Sequence, residues 1–271
     1  MYDTIVVSGG GVKIICAIGG VKYLESVGIL SKVTNFYGTS AGSILCSLIT
    51  LGYTIKEIEY FAVNFEYCNL FDPNLDLLVE TCGLCTSEKL AAVLKLLIWN
   101  KTGDSDISMA KLHTLTGKNL NITSTCVETC ESCTINHLST ETKDMELWRA
   151  ILMSCSIPFV FKPVSWNKNT YVDGSLAEHF PLLKVKSENI KTTIGFKVVS
   201  DTIHKYNSLI DYIYVIPSVI ANTKHNIETF KVIEILIPKG KLDGILDLCL
   251  TGEQRKDLIN IGFRETIGKI K

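Results

Sequence analysis

Three short clusters of residues carry the chemistry that this sequence supports. The first is Gly38-Thr39-Ser40-Ala41-Gly42, a G-x-S-x-G pattern between a β-branched and aromatic run at 33–37 and an apolar stretch at 43–51. A serine in that setting sits on a sharp strand-to-helix turn and can act as a nucleophile. The turn demands Gly38 and Gly42, because a side chain at either position would meet neighbouring backbone. It also lifts the Ser40 hydroxyl to the positive end of the following helix. Taken alone, the pattern equally describes an ordinary strand-to-helix turn.

The second cluster is Gly9-Gly10-Gly11-Val12-Lys13, again after a strand-like run and before a helical one. Consecutive glycines present backbone N–H groups to an anion, either a phosphate or an oxyanion. A dinucleotide fingerprint needs a third glycine where Ile14 stands, and a P-loop needs G-K-[ST], which is absent here. An oxyanion hole beside a reactive serine therefore accounts for both glycine loops together. Lys13 by itself divides evenly between a solvated lysine at a helix start and a functional part of the loop. The third cluster is Asp173-Gly174-Ser175, which follows Tyr171-Val172. An aspartate at a strand end can share a cleft with the ends of neighbouring strands. Alone, Asp-Gly is a turn.

The elements that must position these residues follow from hydrophobic period and turn chemistry. Residues 4–7 read as a buried strand, 15–27 as a helix stopped by Gly28, 33–37 as a strand and 43–51 as a helix stopped by Gly52. That alternation opens an α/β fold with a parallel sheet. Further helices are predicted over 55–67, 87–99, 109–116 and 146–153, with a polar loop at 100–108. Strands are predicted over 120–126, 133–137, 169–172, 193–200 and 233–237. Residues 252–269 read as an amphipathic terminal helix with Thr251 as its N-cap. The expectation is one domain over 1–271, a three-layer α/β sandwich whose mostly parallel central sheet lies between helices.

The three clusters, in this order and separation, resemble the patatin-like phospholipase family, in versions similar to those of bacteria and large DNA viruses. Lys22-Tyr23-Leu24-Glu25 in the first helix and Ser156-Ile157-Pro158-Phe159 before the aspartate extend the resemblance across most of residues 5–182. It implies a Ser–Asp dyad, with Ser40 as nucleophile and Asp173 as base. Backbone N–H groups of Gly10 and Gly11 would form the oxyanion hole, with Gly9, Lys13, Gly38, Gly42 and Gly174 supporting the motifs. The implied reaction is hydrolysis of fatty-acyl esters, of phospholipase A type, through an acyl-enzyme. The implied substrate is a phospholipid or other acyl-ester lipid, met by transient contact with a membrane surface. The resemblance implies no cofactor and no metal. An aspartate with an ordinary pKa near 3.9 is a feeble base, so the dyad must lean on geometry and on the hole. Ile14 departs from the family pattern, which has glycine after the basic residue, and a branched side chain there is expected to reshape the hole. Ser175 stands where the family has Gly or Ala, a small change.

Other readings are weaker. A silent patatin-like module that binds lipid or protein is the competing class. A Ser-Asp-His triad would need His179, His204 or His225, all of which follow Asp173. The net charge of −1 and the lack of a basic stripe argue against nucleic acid. Hydrophobic residues at 46% and charged residues at 20% argue against disorder. Ten cysteines and no leader before the first strand suggest reduced thiols in an intracellular, cytoplasmic chain, soluble or peripheral at membranes. Two C-x-x-C spacings, Cys82/Cys85 and Cys130/Cys133 with Cys126 nearby, lie too far apart for a zinc ribbon. Residues 33–55 carry no charge, yet too many polar residues and glycines to span a bilayer. The apolar stretch 209–216, with Tyr212 and Ile216, is a candidate lipid contact or core segment.

Overall fold

The computed structural model describes residues 2–200, 230–238 and 250–270. The chain opens with β1 (Thr4–Val7), a 3-10 turn (Gly11–Ile14), α1 (Ile15–Ser26), β2 (Asn35–Thr39) and α2 (Ala41–Thr50). Next come α3 (Ile55–Asn64), α4 (Leu75–Thr81), β3 (Gly83–Cys85), α5 (Glu88–Thr102) and α6 (Met109–Thr116). They are followed by β4 (Asn119–Cys126), β5 (Glu131–Ile135), α7 (Leu147–Cys155), β6 (Phe159–Phe161) and β7 (Val164–Trp166). The remaining described elements are β8 (Asn169–Asp173), α8 (Ser175–Glu178), β9 (Thr193–Ser200), β10 (Lys231–Ile237) and α9 (Gly252–Thr266).

The main sheet runs β10-β9-β1-β2-β4-β8-β7, with β5 also paired to β4. Strands β10, β9, β1, β2 and β4 are parallel, and β5, β8 and β7 add an antiparallel margin. This is the expected α/β class, a mostly parallel sheet flanked by helices. β1 shows why: Thr4, Ile5, Val6 and Val7 are all fully buried, as a parallel strand covered on both faces must be. Successive side chains point to opposite faces. Ile5, Val7 and Phe36 join the main core with α1, α2, α3, α5, α7 and α9. Val6 and Tyr37 join a second cluster with Phe180, Leu182 and Val185.

The terminal helix starts as expected. Thr251 Oγ1 accepts the Gln254 N–H at 3.2 Å and the Thr251 N–H donates to Gln254 Oε1 at 2.8 Å, a reciprocal cap. Other boundaries differ. Part of the segment read as a polar loop continues α5 to Thr102, where Gly103 at φ 70° ends it. The sequence reading has no counterpart to α4, β3 or β6, whose strands are three residues each. β3 and β6 form a small parallel pair around Leu84, Cys85, Val160 and Phe161, with Phe71, Leu78 and Ile157 packed against it. The uncharged stretch 33–55 is divided between β2, α2 and the start of α3. Among the described residues no helix is long and apolar enough to cross a membrane. The stretch 209–216, His204 and His225 lie outside the described residues.

Candidate active site

β4 brings the serine and the aspartate together. β2 pairs with it up to Thr39↔Thr123, and β8 pairs with it from Ser124↔Asp173. β5 overlaps both registers, pairing with Ile122 through Cys126, and so must occupy the other edge. β2 and β8 therefore share one edge of β4 and meet end to end between Thr123 and Ser124. One runs parallel to β4 and the other antiparallel, so their C-terminal ends face each other. Ser40 follows one end and Asp173 closes the other. The junction is tight: a Cβ on Gly174 would lie 2.2 Å from the Thr123 carbonyl oxygen.

At that junction Ser40 Oγ donates to Asp173 Oδ2 at 2.6 Å. The other carboxylate oxygen accepts the Ser175 N–H at 2.7 Å. The carboxylate meets the serine hydroxyl directly, with no imidazole between them. Both side chains are buried, Ser40 at 5% and Asp173 at 3% exposure. Burial pushes the Asp173 carboxyl up to about 6, against the hydrogen bonds from Ser40 and Ser175 that pull it down. The sequence reading, which assumed an ordinary carboxylate, understated its strength as a base. Cys155 is buried beside Ser40 and Ser43, and burial pushes its thiol up, so it stays neutral.

Ser40 itself is strained, with φ 53° and ψ −130°. Such a conformation costs on the order of 1–3 kcal/mol and persists only where its surroundings over-determine it. Here they do. The Ser40 carbonyl accepts the Ser43 N–H at 2.8 Å and the Ser43 hydroxyl at 2.6 Å. The Ser40 N–H donates to Ser154 Oγ at 2.8 Å. A Cβ on Gly42 would lie 2.4 Å from the Ser8 carbonyl oxygen, which is why the turn accepts glycine there.

The glycine loop is tied to the aspartate cluster. The Gly9 N–H donates to the carbonyl of His179, just past α8, at 2.9 Å. A side chain on Gly9 would strike Ser175 Oγ, 2.3 Å from the ideal Cβ. His179 thus packs against the loop. Gly11 stands at φ 53°, and the Gly10 and Gly11 N–H groups have no hydrogen-bond acceptor among the described residues. Lys13 is 7% exposed, which removes the solvated alternative of the two left open for it. Ile14 is buried too, in the wall of a cavity beside Ser40.

From Ser40 and Gly11 an apolar cavity of about 160 Å³ extends between α2, α3, α5 and the β3–β6 unit. Ile14, Ile44, Leu48, Leu94 and Phe161 line it; Ser40 and Tyr67 are its hydroxyl-bearing residues. For scale, an enclosed apolar cavity of about 150 Å³ holds a molecule the size of benzene. Sequence reasoning named Ser40 and Asp173 but missed Ser154 and most of this wall. Ser154 carries no recognisable spacing, and the wall comes from helices far apart in sequence. Among the described residues no three His, Cys, Asp or Glu side chains gather as a metal-binding group.

A family model described as patatin-like phospholipase matches residues 5–185. The probable lipid hydrolase 463L of Invertebrate iridescent virus 6 is 31% identical over 196 residues, covering 70% of this chain and 66% of that protein. Lysophospholipase NTE1 of Yarrowia lipolytica is 27% identical over 198 residues, 72% of this chain and 12% of that protein. The chain thus spans less than two thirds of either relative's length. Among solved structures, VipD of Legionella pneumophila superposes with a TM-score of 0.68 at 15% identity, over 99% of this chain and 66% of that one. The type III effector ExoU of Pseudomonas aeruginosa gives a TM-score of 0.58 at 19% identity, over 99% of this chain and 52% of that one.

Proposed function

The chain belongs to the patatin-like phospholipase family, and from that premise we propose that it hydrolyses fatty-acyl esters of phospholipids or related lipids through Ser40 and Asp173. The observation that carries this reading is the 2.6 Å bond from Ser40 Oγ to Asp173 Oδ2 at the end of an apolar cavity. A relative named as a probable lipid hydrolase supports the substrate class.

The ester's acyl chain lies in the cavity, against Ile44 and Leu94. Ser40 Oγ attacks the carbonyl carbon while Asp173 Oδ2 takes its proton. A base with pKa about 6 is largely ionised at neutral pH yet holds a proton better than an exposed carboxylate. Gly10 and Gly11 N–H groups receive the oxyanion, a contribution of about 2.7–4 kcal/mol per donor in comparable sites. Collapse expels the alcohol, which takes the proton back from Asp173. Water, deprotonated by Asp173, then releases the fatty acid.

Contact with a lipid surface is part of the proposal. The unit that walls the cavity with Phe71 and Phe161 also carries exposed apolar residues outside: Leu75 (59%), Val79 (85%) and Phe159 (48%). Leu75 and Val79 stand one turn apart on α4. Phe159 holds φ 66°, a strained setting for a bulky residue. Nearby Asp72 pairs with Lys89. Contact by apolar side chains, insensitive to salt, fits this surface better than electrostatic docking.

The test is labelling with a fluorescent fluorophosphonate. Wild type is expected to label and Ser40→Ala is not. An unlabelled, folded wild type would reject the serine hydrolase reading.

A further inference from the structure

We infer that Ser154 is a positioning residue for the nucleophile: its hydroxyl fixes the strained backbone of Ser40 to β4. The inference rests on Ser40 being the nucleophile. Ser154 Oγ accepts the Ser40 N–H at 2.8 Å and donates its own proton to the Thr123 carbonyl at 2.6 Å. With the proton committed to Thr123, a lone pair of the oxygen is left for Ser40, so the hydroxyl cannot rotate without breaking one bond. The same residue's carbonyl accepts the Gly174 N–H at 3.2 Å, and the Ser156 carbonyl accepts the Asp173 N–H at 2.8 Å. The end of α7 thus holds the two facing strand ends from one side, and Ser154 is where it grips the serine.

Three features make this grip more than packing. Ser154 is fully buried, so water cannot replace the lost hydroxyl. The first N–H groups of α2 have no partner within the helix, so Ser40's amide must find one outside it. Ser40 also sits at φ 53° and ψ −130°, which relaxes unless held. Relaxation rotates Oγ away from Asp173 and from the acyl carbonyl. The bond has a second consequence: the Ser40 N–H is committed to Ser154, so the oxyanion must be met by other donors.

The experiment compares Ser154→Ala with Ser47→Ala. Ser47 is an equally buried serine on α2 whose hydroxyl bonds the Ser43 carbonyl of its own helix at 2.7 Å. Fluorophosphonate labelling rate, kcat and KM on a soluble acyl ester, the pH profile and Tm are measured for both. Ser154→Ala is expected to label about 10- to 100-fold more slowly, with the loss in kcat and KM within about twofold. Its acid limb moves to higher pH, because the Ser40 hydroxyl bond that lowers the Asp173 pKa is loosened. Ser47→Ala is expected to keep the wild-type rate and pH profile. Equal labelling of Ser154→Ala and wild type, or a fall in Tm with rate and acid limb unmoved, overturns the inference and leaves the nucleophile reading standing. An unlabelled wild type overturns both. If Ser154→Ala does not fold, Ser154→Cys carries the test: its thiol is a weaker donor and acceptor, and an intermediate rate is expected.

Discussion

On one side of Ser40 almost every group is held by a directed bond; on the other side almost none is. The polar side comprises the facing ends of β2 and β8, the last turn of α7 and the glycine loop, joined by short hydrogen bonds through Ser40, Asp173, Ser154 and Gly9. The apolar side is the cavity of about 160 Å³, walled by aliphatic and aromatic side chains from α2, α3, α5 and the β3–β6 unit. The contrast suits the two tasks proposed for these sides. A proton transfer tolerates little error in distance, and buried directed bonds set distance. A hydrocarbon chain offers no directed bond, so its site needs only shape and dryness. Damage should accordingly register as lost rate on the polar side and as altered substrate preference on the apolar side.

The sharpest break is Asp173→Asn. Hydrolysis is expected to fall by at least about 1,000-fold, as in comparable removals of a catalytic base. Stability should move the other way. The carboxyl's folded pKa, about 6, lies above its unfolded value, so the folded state binds the proton more tightly. That contribution is fully present below about pH 4 and is lost as pH rises through 6, leaving wild type about 3 kcal/mol poorer at pH 8. Asp173→Asn should therefore raise Tm by several degrees at pH 8 and by little at pH 4, as calorimetry at the two pH values can show. The wild-type kcat/KM should rise with pH to a plateau, with its midpoint near 6.

On the apolar side, Ile44→Trp fills the cavity one helical turn from the nucleophile. Its kcat/KM on octanoyl and longer esters is expected to drop by about 10-fold, with acetyl esters changed by less than about threefold. A uniform loss across chain lengths would mean the cavity does not hold the acyl chain. The smallest effect on the isolated protein belongs to Val79→Ser with Phe159→Asn. Asparagine tolerates the positive φ of Phe159, so Tm should move by no more than a few degrees. Sedimentation with phosphatidylcholine vesicles should weaken by about 10-fold, while a soluble ester is hydrolysed as before. Unchanged sedimentation rejects this face as the lipid contact.

Legibility followed the same division. Ser40, Asp173 and the glycine loop lie in patterns a few residues long, where a tight turn and a reactive side chain constrain the chain locally. Lys13 stayed open between two readings because its type suits water as well as a motif position, and burial is decided only by the fold. β3 and β6 were missed because strands of three residues are too short to show a period, and α4 because its seven residues make only about two turns. Ser154 was invisible for a different reason. Nothing in the helix around it distinguishes a serine that grips the nucleophile from one that merely fills space.

By itself the sequence determined the strand-turn-helix opening, the sharp turn at Ser40, the glycine loop and the aspartate at a strand end. These depend on backbone sterics and on neighbours within a few positions. Only the tertiary structure decided that β2 and β8 meet head to head on one edge of β4. It likewise decided that burial brings the Asp173 carboxyl to about 6, and that a lone serine on α7 reaches the Ser40 amide. Those outcomes depend on strand register, on the exclusion of water and on contacts between residues more than a hundred positions apart. Pairing and desolvation of that kind exist only once the sheet has closed.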